Sequence, residues 1–154
     1  MIHCKPIPTQ VDVRDCERVL RSLPAWFGRE DPRRAYASAA EAMPTFTAND
    51  PSRLVGFLSL NLAEHPIAEI HVMAIDACCR NQGIGTRLLL NAQCWLVDQA
   101  FTTLQVKTLG TTSKDPAYRQ TRAFYRARGF HHAADLPNEW DHETPCVLLS
   151  KDLA

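Results

Sequence analysis

The chain has 154 residues, of which 45% are hydrophobic, and this size and composition suit one globular domain spanning residues 1–154. Lysine and arginine number 17 and aspartate and glutamate also number 17, so the formal net charge is zero. A neutral chain has no broad basic surface for a phosphate backbone, which excludes nucleic acid as an expected partner. The 22% of charged residues and the six glycines also argue against a disordered or fibrous protein.

The N-terminal residues lack the continuous apolar stretch of a secretory signal, and no run of about 18 apolar residues occurs in the chain. We therefore expect a soluble, cytoplasmic protein with no membrane partner. The six cysteines include no Cys-x-x-Cys pair, so we expect no metal site. The adjacent cysteines Cys78 and Cys79 are interpreted as packing residues.

The first half of the chain predicts a short strand, two helices and three further strands. Apolar residues at helical spacing predict a helix over residues 13–23, which Pro24 ends. Asp31 followed by Pro32 has the form of an N-cap and a first helical residue, so a second helix is expected over residues 31–42. The strands are expected at residues 2–7, 45–48, 54–62 and 68–75. The last three follow one another through turns and predict an antiparallel meander.

The second half predicts two helices and three strands. In chain order these are a helix over residues 83–100, a strand over 104–109, a helix from Asp115-Pro116 to Gly129, and strands over 131–134 and 146–149. The order β-α-α-β-β-β-α-β-α-β-β is that of a mixed α/β protein with one strand-helix-strand crossover in its middle.

The most informative segment joins the strand that ends at Ile75 to the helix that begins at Gly83. Unpaired N–H groups of the first helical turn and the positive end of the helix dipole favour a bound anion such as a pyrophosphate. Gly83 and Gly85 lack a Cβ and let the backbone approach that anion closely. The Gly-Lys-Ser/Thr of a Walker A loop is missing, and Leu88 stands where a dinucleotide fingerprint needs a third small residue.

Two motifs resemble those of the GNAT N-acetyltransferase superfamily. Arg80-Asn81-Gln82-Gly83-Ile84-Gly85 matches its coenzyme A loop, Arg/Gln-x-x-Gly-x-Gly/Ala, at every defined position. Tyr125, followed four residues later by Gly129-Phe130, is similar to its second signature. The resemblance covers residues 54–150 well, whereas the first 50 residues fit only through the order strand, helix, helix.

This resemblance implies the GNAT fold, a mixed and mostly antiparallel sheet flanked by helices. It also implies that acetyl-CoA binds in a V-shaped opening between the strand before the loop and the strand over residues 104–109. The backbone of Met73, Ala74 and Ile75 would pair with the pantetheine arm. The expected pyrophosphate-binding residues are Arg80, Asn81, Gln82, Gly83, Ile84, Gly85 and Thr86.

The expected chemistry is direct attack of an amine on a thioester, which requires that a protonated amine first lose a proton. Alternation along the strand places Glu69, His71 and Met73 on one face. Glu69 lies where the histone-modifying members of the superfamily carry their general base, within a similar Ala-Glu-Ile opening of the strand, so it is the first candidate. His71 is the second, because an ordinary histidine pKa of about 6.5 suits proton transfer.

Tyr125 is expected to act on the departing sulfur, mainly as a hydrogen-bond donor that stabilises the thiolate. One position departs from the family pattern. Relatives usually carry an asparagine seven residues before this tyrosine, where it contacts the cofactor, and this chain has Tyr118 there.

Candidate acceptor-binding residues lie outside the motifs. Trp26 and Phe27, between the first two helices, form an aromatic turn that would line an acceptor pocket, and Asp141 lies beside Trp140 in a late loop. Neutrality favours a small amine as acceptor, with a protein lysine or N-terminus as the alternative. A non-catalytic acyl-CoA sensor is the rival class, and a homodimer is left open.

Overall fold

The computed structural model describes residues 1–109, 116–137, 139 and 146–153. Its strands are β1 His3–Cys4, β2 Thr45–Asn49, β3 Leu54–Glu64, β4 Ile67–Ile75, β5 Thr103–Leu109, β6 His131–Leu136 and β7 Cys146–Asp152. Its helices are α1 Val13–Arg21, α2 Pro24–Phe27, α3 Glu30–Ala42, α4 Ile84–Asp98 and α5 Pro116–Ala127, with a 3₁₀ turn at Ala77–Cys79. The predicted order of elements is confirmed, apart from α2.

Within these residues the seven strands form one sheet in the order β1-β2-β3-β4-β5-β7-β6. The β4–β5 pair is parallel because α4 crosses over between the two strands, and the other pairs are antiparallel. The predicted meander of β2, β3 and β4 is therefore confirmed. The mixed, mostly antiparallel sheet of the predicted fold is confirmed as well.

Helices cover both faces of the sheet. On one face, α1 and α3 bury a core that includes Leu20, Ala37 and Phe57. On the other face, α4 and α5 bury a larger core that includes Leu88 and Tyr125. No helix among the described residues combines the length and apolarity needed to cross a bilayer.

Several predicted boundaries are wrong at the N-terminal end. The first strand covers only His3–Cys4, because Pro6 and Pro8 cannot donate to a ladder. Pro24 begins the additional helix α2 as its first residue. Asp31 is not an N-cap: α3 begins at Glu30 after Arg29, and Pro32 is tolerated because N–H groups of a first turn have no acceptor within the helix.

Candidate active site

The parallel ladder between β4 and β5 stops halfway along the two strands. Its last pair is Ile70 with Val106, and the described residues beyond it make no further ladder pairs. The strands therefore separate toward the ends that carry residues 71–75 and 107–109. A cavity of about 340 Å³ occupies this separation. The predicted V-shaped opening is present.

A β-bulge in β4 changes which side chains share a face. Ser59 of β3 pairs with Val72 and Leu60 pairs with Ile70, so His71 is the extra residue. Ile70 packs toward α4 and α5, whereas Val72 packs toward α1 and α3, and Met73 then turns to the α4 side. The expectation that Glu69, His71 and Met73 share one face is therefore wrong for Met73.

The loop between β4 and α4 forms the first end of the cavity. Gly83 is the residue before α4 and has a φ of +77°, a left-handed conformation that favours glycine. No side chain among the described residues caps α4, so the N–H groups of its first turn remain available to a ligand. These amides and the helix dipole fit the phosphates of a CoA molecule.

Gly85 lies at the close approach of α4 to α5. A Cβ on Gly85 would lie 3.3 Å from the Phe124 ring and 3.8 Å from Cε of Met73. Arg128 stacks on the Phe124 ring at 3.9 Å and donates from Nε to the Thr86 hydroxyl at 2.8 Å. The start of α4, including Thr86, is thereby fixed to α5 beside the cavity.

The buried carboxylate of Asp76 holds the loop from behind, a role that sequence analysis did not assign. Its Oδ1 accepts from the Cys78 amide at 3.1 Å, and its Oδ2 lies 3.5 Å from Nη1 of Arg18. Cys78 itself is exposed, so the packing interpretation holds for Cys79 alone. A hydrogen bond to Asp76 raises the pKa of the Cys78 thiol to about 11, which keeps it protonated at neutral pH.

Helix α2 closes the cavity from the side. Nε1 of Trp26 donates to the Thr121 hydroxyl at 3.0 Å, and the Tyr118 hydroxyl donates to the Trp26 carbonyl at 3.2 Å. The guanidinium of Arg80 lies 4.3 Å from the centroid of the Trp26 ring. Trp26 therefore links the loop between β4 and α4, here called the phosphate loop (residues 76–83), to α5. Tyr118 contacts α2.

His71 lines the cavity on the side of α1 and α3. Its ring lies 5.4 Å from the ring of Tyr36, which in turn packs edge-on against Phe27 at 5.6 Å. Burial lowers the pKa of His71 below the usual value, against an opposing effect of Glu69. His71 is therefore neutral at pH 7 and able to accept a proton.

Glu69 is not among the described residues that line the cavity. Its carboxylate lies 3.7 Å from Nζ of Lys107, which also donates to Glu139 at 2.8 Å. The bond to Glu139 raises the pKa of Lys107, so this lysine keeps its charge. Glu69 thus belongs to a partly exposed ion-pair group beside the cavity.

Tyr125 of α5 lines the cavity from the α4 side and is 4% exposed. Its ring packs edge-on against Phe124 and Phe130, each with centroids 5.2 Å away. Burial raises the pKa of Tyr125 well above its usual value, which keeps the hydroxyl protonated. The side chain can donate a hydrogen bond but is a poor source of a full proton.

The structure brings most of the predicted site residues to one cavity. Those that line it are Trp26, Phe27, His71, Met73, Ala74, Ile75, Arg80, Asn81, Gly83, Ile84, Gly85, Thr86 and Tyr125. Gln82 is exposed and lies outside this wall. Asp141 lies outside the described residues.

Sequence analysis missed several residues of the wall, among them Tyr36, Lys107 and Thr108. Tyr36 lies on a helix 35 positions from His71 in the numbering, so no local pattern connects the two. Lys107 and Thr108 are neighbours on a strand that the sequence predicts. Alternation along that strand indicates that their side chains lie on opposite faces of the sheet. The sequence does not show where the β4–β5 ladder ends, and it is this end that brings the two residues to the cavity.

Comparison with known proteins assigns the class. Residues 14–130, about three quarters of the chain, match the model of the acetyltransferase (GNAT) family. Together with the open sheet and the phosphate loop, this match defines an acyl-CoA-dependent N-acyltransferase. The chain belongs to the acetyltransferase (GNAT) family. No curated protein matches its sequence.

Solved structures agree with this fold. An acetyltransferase assigned to the GNAT family, from Desulfovibrio desulfuricans, superposes with a TM-score of 0.83 at 16% identity over 100% of both chains. The ribosomal-protein-S18-alanine N-acetyltransferase from Escherichia coli gives 0.68 at 17% identity over 100% of this chain and 95% of its own. An aminoglycoside 6'-N-acetyltransferase complexed with coenzyme A gives 0.74 at 20% identity over 100% and 97%.

Proposed function

We propose that this protein transfers an acetyl group from acetyl-CoA to the primary amine of a small molecule. The observation that carries the proposal is a single cavity with two chemically different ends. One end presents the uncapped amides of α4, with Tyr125 on the same side of the sheet, and the other presents His71. A phosphorylated acyl donor and an amine would meet between them.

The residues of the first end suit coenzyme A. Uncapped amides at the start of α4 would bind the pyrophosphate, and the left-handed Gly83 keeps that backbone free of a Cβ. The edge of β4 at Met73, Ala74 and Ile75 has no β5 partner and would hydrogen-bond the pantetheine arm. When bound, acetyl-CoA supplies a thioester that a neutral amine attacks to give an amide and a thiol.

His71 is our proposed general base. The amine proton moves to the neutral imidazole as the new C–N bond forms, because burial keeps the pKa of His71 below its usual value. Glu69, the first candidate from the sequence, forms an ion pair with Lys107. We assign it an electrostatic effect on His71 rather than a contact with the acceptor. Its carboxylate opposes the effect of burial on the imidazole.

Tyr125 is our proposed hydrogen-bond donor to the sulfur as the C–S bond breaks. Its raised pKa means that the hydroxyl stabilises the thiolate without giving up its proton fully. The thiolate is then protonated from solvent or from the His71 imidazolium. Protons balance by both routes, since the imidazolium gives the amine proton either to the thiolate or to the solvent that has protonated it.

A small acceptor is favoured by the walls of the second end. Leu23, Phe27 and Tyr36 form an apolar and aromatic surface next to His71, and a net charge of zero offers no strong field for an acidic or basic protein. A protein lysine or N-terminus is the alternative acceptor. Residues 1–154 would act as one domain, in the cytoplasm, alone or as a homodimer.

The test is CoA release measured by a thiol reagent with acetyl-CoA and a panel of small amines, aminoglycosides and peptides. We expect release with at least one small amine, and no stabilisation by NAD in a thermal melt. Tight acetyl-CoA binding without release for any amine would instead support a non-catalytic sensor. Release with peptides alone would move the acceptor to proteins.

A further inference from the structure

Thr108 carries a polar group that the fold does not use. The residue is 3% exposed, and its hydroxyl is buried without a hydrogen-bond partner within the described part of the chain. Thr108 also lines the cavity between β4 and β5. A buried hydroxyl without a partner costs free energy relative to its hydration in the unfolded chain, so a ligand that bonds it recovers that cost.

The position of Thr108 in the sheet places its side chain on the donor side of the cavity. Thr108 lies two residues beyond Val106, where the ladder to β4 ends, and its backbone pairs with Val147 of β7. Residues two apart on a strand share a face. Val106 belongs to the core under α4 and α5, so Thr108 lies on the face of Tyr125 and opposite Lys107.

A nearby threonine shows what a satisfied hydroxyl looks like in the same wall. The hydroxyl of Thr121 donates to the Ala117 carbonyl at 3.1 Å and accepts from Nε1 of Trp26 at 3.0 Å. Thr121 is therefore committed to linking α2 and α5. Thr108 keeps both its donor and its acceptor capacity for a molecule that enters the separation of the strands.

We propose that the Thr108 hydroxyl donates a hydrogen bond to a carbonyl oxygen of the acyl-CoA arm seated between β4 and β5. This inference rests on the proposed function, because it takes its ligand from it. The carbonyl belongs either to an amide of the pantetheine or to the thioester. Thr108 would then be a binding residue for the donor on β5, opposite the strand whose backbone edge holds the same arm.

The test compares Thr108→Val with wild type by calorimetric titration of CoA and of acetyl-CoA. Valine keeps the shape and removes the hydroxyl, so affinity is expected to fall about 5- to 10-fold. Equal losses for CoA and acetyl-CoA indicate a pantetheine amide. A loss for acetyl-CoA alone indicates the thioester. Thr108→Ser, which keeps the hydroxyl, should restore most of the affinity.

Thr47→Val is the matched control, because Thr47 of β2 is also 3% exposed with an unpartnered hydroxyl but does not line this cavity. Both valine variants should melt no lower than wild type without ligand, and only Thr108→Val should lose affinity. Unchanged affinity of Thr108→Val beside a wild type that binds acetyl-CoA would overturn this inference alone. A wild type that binds neither ligand would overturn the proposed function with it.

Discussion

The two ends of the cavity are built in different ways. Most of the donor end comes from one segment, residues 73–86, which offers the open edge of β4 and the uncapped amides of α4. The acceptor end is assembled from side chains on α2, α3, β4 and β5, among them Phe27, Tyr36, His71 and Lys107. A backbone site depends on local conformation and a few glycines, whereas a side-chain site depends on how distant segments pack.

The family model spans both ends of the cavity, from residue 14 to residue 130, and does not name the acceptor. Solved relatives with this fold act on a ribosomal protein in one case and on an aminoglycoside in another. The helices that frame the second end are where such differences can be built without disturbing the loop. Substitutions at the two ends should therefore fail in different measurements.

The largest effect is expected from His71→Gln, which keeps a polar side chain but removes the base. We expect kcat/KM for the acceptor to fall about 100-fold or more, with acetyl-CoA affinity nearly unchanged. In wild type, kcat/KM should decline as the pH falls through the pKa of His71, which burial sets below 6.5, since the protonated ring cannot accept a proton.

The groups that face His71 are the charges of Glu69 and Lys107 and the ring of Tyr36. The variant should lose the acidic decline that belongs to His71. Glu69→Gln is the matched control and should change kcat/KM much less while shifting that decline to lower pH, because Glu69 raises the pKa of His71. A larger loss in Glu69→Gln than in His71→Gln would return the role of base to Glu69.

An intermediate effect is expected from Tyr125→Phe. Loss of a hydrogen bond to a developing thiolate should lower kcat about 10- to 100-fold, and the affinity for acetyl-CoA should change little. Single-turnover kinetics and calorimetry separate the two quantities. Tyr36→Phe makes the same chemical change on the acceptor side and should leave kcat much closer to wild type. Equal effects of both variants would contradict the role assigned to Tyr125.

A smaller effect is expected from Gly83→Val, which tests the donor end. A φ of +77° is strained for a branched residue, although a Cβ at this position meets nothing within 4 Å. We expect acetyl-CoA to bind about 10-fold more weakly, with the amine preference unchanged. Leu90→Val, at an exposed position of α4, controls for the helix propensity of valine. Wild-type affinity in Gly83→Val would show that the loop conformation is not needed.

The conformation of the strand, loop and helix at the donor end could be predicted because its signals are local. Apolar periodicity, Gly83 and the motif from Arg80 to Gly85 lie within one strand-loop-helix unit, and the structure places them as expected. The α3 start was misplaced because Asp31-Pro32 also fits the interior of a first turn, where a missing N–H costs nothing.

The acceptor end could not be predicted in the same way. The position of the bulge at His71 depends on how β3 pairs with β4, and the contact between His71 and Tyr36 depends on how α3 packs on the sheet. Both depend on contacts between residues far apart in the sequence, and such contacts produce no periodic pattern of apolar residues. Regular alternation, the best available rule, therefore assigned Met73 to the wrong face.

The bulge at His71 turns the side chains of the two halves of β4 to opposite faces of the sheet. Upstream of it, odd-numbered side chains turn toward α3; downstream, they turn toward α4. In the proposed mechanism, this single added residue turns His71 to the α3 side and leaves Met73 on the α4 side with Tyr125, so that the base and the hydrogen-bond donor approach the same thioester from opposite sides. Deleting that residue would move every later side chain of β4 to the opposite face of the sheet. The length of β4 therefore determines which of its side chains face α4.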